Sequence, residues 1–217
     1  MEKVVDLLIG LPCSGKSTYR DAEYDHQDTF VISMDDIRER YCEKTGVSYL
    51  DLFLKPKEGD KEHPLFGKVT KNGNWELIEA INKNMHKDFE RSIRMSLTAL
   101  NEGKRVVVDM KNITKKERKT VLKWFKDEGE VHFRGIIFEH KENFDLIKSQ
   151  NKIRGKETGK VIPDFVLDKL KEDYTPVDLG EGITEILFVD GLKGLKKEYK
   201  SELKSEKKIN RSRIRMK

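Results

Sequence analysis

Gly10-Leu11-Pro12-Cys13-Ser14-Gly15-Lys16-Ser17-Thr18 is the stretch that decides the fold of this 217-residue chain. It follows the apolar run at 4–9 and fits the Walker A phosphate-loop pattern, G-x-x-x-x-G-K-[ST], at each fixed position. Its glycines allow the backbone to aim N–H groups at phosphate oxygens, and Lys16 adds positive charge for the β- and γ-phosphates. The pattern predicts that the chain binds a nucleoside triphosphate.

The side chains of this loop suit ATP with Mg²⁺. The Ser17 hydroxyl can ligate Mg²⁺, and a helix that begins there directs the positive end of its dipole toward the phosphates. The alternative, a strand-to-helix turn that fits the pattern by chance, is disfavoured by the strand-like run before the loop and the helix-compatible run after it. Cys13 lies among the N–H donors, which predicts a thiol of lowered pKa. The predicted ATP contacts in the loop are Gly10, Pro12, Cys13, Ser14, Gly15, Lys16, Ser17 and Thr18.

The composition predicts a soluble protein of a reducing compartment. Charged residues make up 38% of the chain, and no stretch approaches the roughly 18 uninterrupted apolar residues of a membrane helix. The first residues lack the pattern of a signal peptide. The two cysteines, Cys13 and Cys42, give no disulfide framework, and the five histidines show no metal-ligand spacing. A cytosolic protein with no metal other than Mg²⁺ is therefore expected.

Positive charge is concentrated at the C-terminal end. Residues 193–217 hold 11 Lys or Arg and 3 Glu, whereas the other residues hold 33 basic and 36 acidic side chains. The net charge of +5 therefore arises in the tail, because the remainder carries −3. We expect one domain at 1–191 and a basic, charged tail at 192–217.

Short apolar segments alternate with segments of helical period. Strands are predicted at 4–9, 29–33, 105–109, 131–138 and 184–189, and helices at 17–24, 35–44, 75–102, 115–128, 141–151 and 163–174. Thr114 and Glu117 predict a capping box at the start of the fourth helix. The alternation predicts an α/β P-loop NTPase fold, a parallel five-stranded sheet with helices on both faces. Residues 45–74, with several Gly and Pro, are predicted to be an irregular insertion.

The segment after the second strand carries the first candidates for chemistry. Ligands bind at the carboxyl ends of parallel strands, so we expect Asp35 and Arg38 to face the phosphate loop. A carboxylate there can accept the proton of an attacking hydroxyl, and a guanidinium one helical turn later can hold a phosphate. The alternative is that Asp35 or Asp36 only caps the helix and that Arg38 lies on the surface.

Two later segments supply further candidates. The third strand ends at Asp109, where a carboxylate suits Mg²⁺ or the acceptor, and Asn112 follows; for both, a strand-end turn is the alternative. Basic residues then surround two glycines, which predicts a glycine-hinged lid at 148–162. Closure of such a lid would bring Arg154 to the γ-phosphate. A solvated basic loop is the alternative for this segment.

Taken together, these segments resemble the kinase domain of phage-type 5′-hydroxyl polynucleotide kinases. The similarity covers residues 3–174. It rests on the phosphate loop, Asp35-Asp36-Ile37-Arg38, Asp109-Met110-Lys111-Asn112, and Arg154-Gly155 followed by Val161-Ile162-Pro163, in the same order and at similar spacing. The resemblance implies these roles: Lys16 and Ser17 serve ATP and Mg²⁺, Asp35 is the general base on the 5′-hydroxyl, Arg38 grips the acceptor phosphate, Arg154 contacts the γ-phosphate, and Asp109 stands where the family keeps a functionally important aspartate. From their position after the third strand, Asp109 and Asn112 are predicted to help bind the substrate.

The sequence departs from this family in four ways. Cys13 stands where glycine is usual, and the irregular insertion is longer than in the family. Gln150 replaces a second lid arginine, a charge that Lys148 or Lys152 could supply instead. The bifunctional members continue into a phosphatase domain with an Asp-x-Asp-Gly-Thr signature; residues 186–191 echo it faintly but lack the first aspartate. No phosphatase activity is therefore expected.

Three functions are open on this evidence, while RNA or DNA preference and oligomeric state are not readable. The resemblance implies an ATP-dependent kinase of the 5′-OH end of RNA or DNA, a transferase of nucleic-acid repair in the cytosol of a bacterial or phage-infected cell. A small-molecule P-loop kinase acting on a nucleotide, nucleoside or sugar is the alternative, because Asp-x-x-Arg also suits such acceptors. The third function is a nucleotide-dependent nucleic-acid binding module without transfer.

Removal of residues 193–217 is predicted to weaken polynucleotide binding more than ATP binding. Clustered Lys and Arg side chains attract phosphate backbones and release counterions, so the effect should shrink as salt rises. Fluorescence anisotropy of a labelled oligonucleotide measures the first affinity, and calorimetric titration with ATP measures the second. Equal oligonucleotide affinity of the full and shortened chains at low salt would contradict this prediction.

Overall fold

A five-stranded parallel sheet forms the centre of the computed structural model, which describes residues 2–54, 75–139 and 142–192. The strands are β1 (Lys3–Ile9), β2 (Thr29–Ile32), β3 (Arg105–Asp109), β4 (Val131–Phe138) and β5 (Glu185–Val189). They lie in the order β2-β3-β1-β4-β5, and each neighbouring pair is parallel. The loop after β1 therefore emerges at the middle of the sheet, between β3 and β4.

Helices cover both faces of this sheet. In the described residues they are α1 (Lys16–Glu23), α2 (Met34–Thr45), α3 (Tyr49–Leu54), α4 (Trp75–Asn101), α5 (Lys115–Trp124), α6 (Phe144–Thr158), α7 (Asp164–Glu172) and a 3-10 helix (Leu179–Glu181). Successive β1 residues pack on opposite faces, because Val5, Leu7 and Ile9 share a buried cluster with α4 and α5 whereas Leu8 packs in a cluster with Tyr19 of α1. This arrangement confirms the predicted fold class.

The predicted strands agree with the structure to within one residue at each end. The predicted capping box at the start of α5 is also present. The Thr114 hydroxyl accepts a hydrogen bond from the Glu117 N–H at 3.1 Å, and the Glu117 carboxylate accepts one from the Thr114 N–H at 3.1 Å. α5 ends at Trp124, before its predicted end at 128, because the Phe125 N–H turns back to earlier carbonyls of the helix.

The insertion at 45–74 contains a helix that its glycine and proline content concealed. The short helix α3 packs against α2 and α4, and its residues Tyr49 and Leu52 are buried. The prediction that the segment is irregular is therefore wrong for this part. Residues 55–74 lie outside the described residues.

The predicted lid at 148–162 is mostly helix rather than a glycine-hinged loop. α6 runs through Gly155, and Gly159, with a φ of 72°, ends it. A Cβ on Gly155 would lie 2.7 Å from the Cβ of Val161, a separation that real side chains essentially never show. Gly155 therefore allows the chain to fold back closely on α6, and closure of this segment as a lid stays a prediction.

The described core extends one residue into the predicted tail. Leu192 is 2% exposed and packs in a cluster with Leu11, Ile162 and Leu167. The rest of the predicted tail, residues 193–217, lies outside the described residues. Across the three described ranges, no helix is long and apolar enough to cross a membrane.

Arg118 of α5 connects two loops, the one after β3 and the one between α7 and β5. Its side chain is fully buried, and its guanidinium donates to both carboxylate oxygens of Glu181, each at 2.8 Å. It also donates, at 3.1–3.2 Å, to the backbone carbonyls of Asn112, Ile113, Thr175 and Pro176. Arg118 thus fixes the loop after β3 to the connection between α7 and β5.

Replacing Arg118 with methionine is expected to lower the free energy of unfolding by about 3–5 kcal/mol, because Glu181 would remain buried without its partner. Arg118 also lowers the pKa of Glu181 by hydrogen bonding, so this contribution is present above the unfolded pKa of about 4.3 and is lost as the pH falls further. Denaturant titration from neutral pH to pH 3 measures both effects. Lys169→Met, which breaks an exposed pair with Asp173, is the control and should change stability little.

Candidate active site

A cavity of about 850 Å³ opens at the carboxyl ends of the parallel strands. The phosphate loop, the start of α2, the end of β3, α6, α7 and the segment after β5 all line it. Ligands bind at this edge in open α/β sheets. The predicted site residues that line the cavity are Pro12, Cys13, Gly15, Lys16, Ser17, Thr18, Asp35, Arg38, Asp109 and Arg154.

The phosphate loop is held by its neighbours in a conformation with two left-handed residues. The Gly10 N–H donates to the carbonyl of Lys111, in the loop after β3, at 3.0 Å. Gly15 precedes α1 with a φ of 93°, and Cys13 has a φ of 61°. A left-handed residue with a side chain costs roughly 1–2 kcal/mol. A glycine at the position of Cys13 would avoid this cost.

Gly191, two residues after the end of β5, packs its backbone against the phosphate loop. A Cβ on Gly191 would lie 2.4 Å from the Ser14 carbonyl oxygen, and a Cβ on Gly15 would lie 2.4 Å from the Gly191 carbonyl oxygen. Only glycine fits at both positions without movement of the backbone. In the sequence this contact is marked only by a glycine two residues after the last strand, within the 186–191 stretch that resembles a phosphatase signature.

Lys16 is enclosed at the base of the loop. Its Nζ donates to the carbonyls of Gly10 at 2.9 Å and Leu11 at 2.7 Å. Burial lowers the pKa of Lys16, and the negative charges of Asp109 and Asp35 oppose that change. The amine therefore lies inside the loop that binds phosphates in this motif, within reach of carboxylates from two other elements.

Two residues at the start of α2 have different roles, because Ser33 caps the helix and Asp35 faces the cavity. Ser33 is the cap, because its hydroxyl accepts a hydrogen bond from the Asp36 N–H at 3.1 Å. Asp35 does not cap the helix. Its side chain is 59% exposed, lines the cavity and forms an ion pair with Arg38. The alternative in which Asp35 is only a helix cap is therefore wrong.

Arg38 is buried rather than on the surface. Its side chain is 8% exposed, and its guanidinium carbon lies 5.3 Å from the ring centroids of both Tyr49 and Phe53 of α3. The two rings are themselves stacked, with centroids 5.9 Å apart. Aromatic faces attract guanidinium groups, so α3 holds Arg38 in one orientation at the cavity wall. Sequence reasoning missed this support because it missed the helix.

Arg20 of α1 is a charged residue of the site that sequence reasoning did not identify. Its Nη1 donates to Asp36 Oδ2 at 2.9 Å and to Asp109 Oδ2 at 2.8 Å. Burial raises the pKa of Asp109, and the positive charges of Lys16 and Arg20 oppose that rise. Arg20 thus engages two of the three carboxylates at this edge of the sheet, and Asp35 pairs with Arg38 instead. No motif marks this arginine in the sequence.

Asn112 lies outside the cavity, contrary to the prediction that it binds substrate. It is buried with a φ of 47°, and its Nδ2 donates to the carbonyls of Leu8 at 2.9 Å and Val108 at 3.3 Å. These bonds join the ends of β1 and β3. The side chain therefore supports the loop after β3 and does not face a ligand.

Arg154 reaches the cavity from α6 and is anchored by its surroundings. Its Nε donates to the Lys160 carbonyl at 2.9 Å, and its Nη2 donates to Asn151 Oδ1 at 3.3 Å. The Lys160 amine in turn pairs with Glu39 of α2 at 2.5 Å. Gln150, one turn before Arg154, also lines the cavity. The arginine is thus tied, through Lys160, to the helix that carries Asp35.

The two lysines proposed to replace the second lid arginine point elsewhere. Lys148 pairs with Asp168 at 2.6 Å and Lys152 with Asp164 at 3.8 Å, both on α7. Neither lysine lines the cavity. The idea that they compensate for Gln150 is therefore not supported by their positions.

The prediction of a lowered thiol pKa at Cys13 is wrong. Burial raises the pKa of Cys13, and this effect outweighs the opposing positive charges of Arg154 and Lys16. The N–H groups of the loop therefore do not make Cys13 an acidic thiol.

Comparison with known proteins agrees with this fold. The family model AAA_33, described as an AAA domain, matches residues 5–177. No curated protein matches the sequence. Among solved structures, a candidate kinase from Chloroflexus aurantiacus J-10-fl is 13% identical, with 94% of this chain and 98% of that chain covered and a TM-score of 0.57.

Two other solved structures are similar at the same identity of 13%. A fungal RNA kinase has a TM-score of 0.50, with 89% of this chain and 80% of that chain covered. A gluconokinase from Sinorhizobium meliloti 1021 has a TM-score of 0.36 with 94% and 97% covered, too low to carry an argument. At such identities the likeness shows the fold alone.

Gly191→Ala is expected to weaken ATP binding about tenfold, because overpacking of this kind costs about 1–3 kcal/mol and would push the Ser14 carbonyl out of place. Gly135→Ala is the control, since a Cβ there would make ordinary contacts, the nearest at 3.4 Å to the Ile9 side chain. Calorimetric titration with ATP compares the two variants. Equal affinities would show that the contact between Gly191 and the loop does not shape the site.

Proposed function

The chain belongs to the AAA domain family. We propose that it is an ATP-dependent kinase that phosphorylates the 5′-hydroxyl end of RNA or DNA. One observation carries the proposal: Lys16, Asp35 and Arg154, far apart in the sequence, line one cavity. Phosphoryl transfer depends mainly on positioning and on positive charge around the γ-phosphate. A cavity that combines a phosphate loop, an arginine and a carboxylate meets those needs.

The donor end of the cavity suits a nucleoside triphosphate. The phosphate loop offers N–H groups and the Lys16 amine, and Arg154 adds a guanidinium that can bind phosphate oxygens with two hydrogen bonds. Asn151 and the Lys160 carbonyl orient Arg154. These contacts support roles for Lys16 and Arg154 at the transferred phosphate.

Mg²⁺ fits this site as an ion shared with ATP. The Ser17 hydroxyl lines the cavity and is a hard oxygen donor. In the described part of the chain, no group of three or more His, Cys, Asp or Glu residues could hold a metal on its own. Mg²⁺ usually combines few protein ligands with substrate phosphates. We propose that Ser17 helps to hold it; when bound, the ion neutralises phosphate charge.

Asp35 is the proposed general base. In the reaction, the acceptor oxygen attacks the γ-phosphorus, the bond from that phosphorus to the β,γ-bridging oxygen breaks, and ADP leaves. The proton of the acceptor hydroxyl moves to the Asp35 carboxylate. Asp36 does not line the cavity, and Asp109 lines it but is buried and bound by Arg20, so both are less suited to this role than the exposed Asp35.

The neighbourhood of Asp35 favours an acceptor that carries a phosphate near its hydroxyl. Arg38 lines the cavity next to Asp35, and a guanidinium is the side chain best matched to phosphate oxygens. A terminal nucleotide of a polynucleotide brings both groups, its 5′-hydroxyl and its 3′-phosphodiester. The RNA kinase with a similar fold and the basic tail at 193–217 are consistent with such a partner and with a role in nucleic-acid repair.

Asp35→Asn is expected to lower the rate of 5′-end labelling about 100-fold or more, because an amide cannot accept the proton. Asp36→Asn is the matched control, since it changes the neighbouring carboxylate, which Arg20 engages. Transfer of labelled γ-phosphate to 5′-OH oligoribonucleotides and oligodeoxyribonucleotides measures the rate. ATP binding by both variants, measured in parallel, verifies the donor site.

An acceptor panel separates the proposal from its alternatives. Transfer to nucleosides, nucleotides or sugars without transfer to oligonucleotides would identify a small-molecule kinase. ATP binding with no transfer in the wild-type protein, unchanged by Asp35→Asn, would identify a nucleotide-dependent binding module. Either result would overturn the proposed activity.

A further inference from the structure

Tyr49 of α3 donates a hydrogen bond into the proposed catalytic pair. Its hydroxyl donates to Asp35 Oδ1 at 3.0 Å and accepts from Arg38 Nη1 at 3.5 Å. The ring packs over the Arg38 guanidinium, and the residue is 7% exposed. Tyr49 therefore contacts both members of the pair at once, from a helix that the sequence did not reveal.

The contacts to Asp35 fall on one carboxylate oxygen. Arg38 Nη1 also donates to Oδ1, so two donors converge on that atom. Within the described ranges of the chain, Oδ2 accepts no hydrogen bond, although the side chain lines the cavity. One oxygen is thus held, and none of the described residues occupies the other.

We propose that Tyr49 is a positioning residue that fixes Asp35 through Oδ1 and leaves Oδ2 to receive the proton. This inference rests on the proposed function, in which Asp35 is the base. The Tyr49 hydroxyl does not touch the substrate. It limits rotation of the carboxylate and, as a donor, favours the charged form of Asp35 that a base requires.

Tyr49 keeps its own proton in this setting. Burial, followed by the nearby charge of Asp35, raises the pKa of Tyr49, and the charge of Arg38 opposes the rise less strongly. The phenol therefore remains a hydrogen-bond donor throughout the neutral pH range. A tyrosine that ionised there would repel the carboxylate instead of holding it.

Several elements place charged or titratable groups around Asp35. They are Arg38 of α2, Tyr49 of α3, Cys13 and Lys16 of the phosphate loop, Asp109 of β3 and, lining the same cavity, Arg154 of α6. Among the described residues, the Arg38 guanidinium and the Tyr49 hydroxyl donate the hydrogen bonds that the Asp35 side chain accepts. Removal of the Tyr49 hydroxyl alone therefore tests what its hydrogen bond contributes.

Tyr49→Phe removes the hydroxyl and keeps the ring on Arg38. The chain offers a close control in Tyr41→Phe, because the Tyr41 hydroxyl also donates to a carboxylate at 3.0 Å, that of Asp88, and does not line the cavity. Carboxyl ¹³C NMR of aspartate-labelled full-length protein, with Asp35 assigned from the Asp35→Asn spectrum, gives the titration of Asp35. Kinetics of 5′-end labelling are measured on the same samples.

In Tyr49→Phe, Asp35 should titrate at higher pH, since the carboxylate loses a donor that stabilises it. The acidic limb of the pH–rate profile should move in the same direction. The kcat at neutral pH should fall about tenfold, as expected for loss of one hydrogen bond to a charged group, with unchanged affinity for ATP. Tyr41→Phe should alter none of these quantities.

An unchanged titration of Asp35 in Tyr49→Phe would overturn the inference. So would a loss of rate that is equal at every pH, because packing alone would then explain it. If the Asp35 titration shifts in Tyr49→Phe but the wild-type protein labels no polynucleotide, the positioning role of Tyr49 is supported and the proposed polynucleotide kinase activity is refuted. The NMR readout therefore separates failure of this inference from failure of the proposed function.

Discussion

Close backbone contact around the phosphate loop is the constraint on which the cavity depends. Gly15 and Gly191 approach so closely that a Cβ on either would lie 2.4 Å from a carbonyl oxygen across the contact. On the other side, the Gly10 N–H reaches the loop after β3, and Asn112 joins the ends of β1 and β3. The loop is thus held from β3 and β5 at once, and Lys16 is positioned before any ligand binds.

Given this fixed loop, the distribution of charges is what singles out one carboxylate as the proposed base. Arg20 engages Asp36 and Asp109, whereas Asp35 is held by Arg38 and Tyr49 and remains open to the cavity. The three carboxylates differ in their partners rather than in their chemistry. This division is the physical reason to assign the base to Asp35, and it arises from contacts between α1, α2, α3 and β3.

The sequence predicted what depends on local pattern and missed what depends on tertiary packing. The Walker A spacing, the apolar strands and the Thr114 capping box are local, and the loop, the sheet and the start of α5 agree with the structure. Arg20 was missed because its partner Asp109 lies 89 residues away in the sequence. Gly191 was missed because it contacts Ser14 and Gly15, near the opposite end of the domain sequence. No spacing rule connects such residues.

Two errors have the opposite origin, because local rules were applied where packing overrides them. Glycine usually weakens a helix, yet Gly155 lies within α6 since Val161 packs against it. Glycine and proline in the insertion likewise concealed α3, whose burial against α2 and α4 stabilises it. Because α3 supplies Tyr49 and Phe53 to the site, missing this helix also meant missing part of the candidate active site.

The central claim is that one cavity passes the γ-phosphoryl group directly from ATP to an acceptor hydroxyl. The most direct test uses ATP with a γ-phosphorus made chiral by oxygen isotopes and sulfur, a 5′-OH oligonucleotide as acceptor, and determination of the configuration of the product. Direct in-line transfer predicts inversion at phosphorus. Retention would require a phosphorylated protein intermediate and would contradict the transfer proposed for Lys16, Asp35 and Arg154.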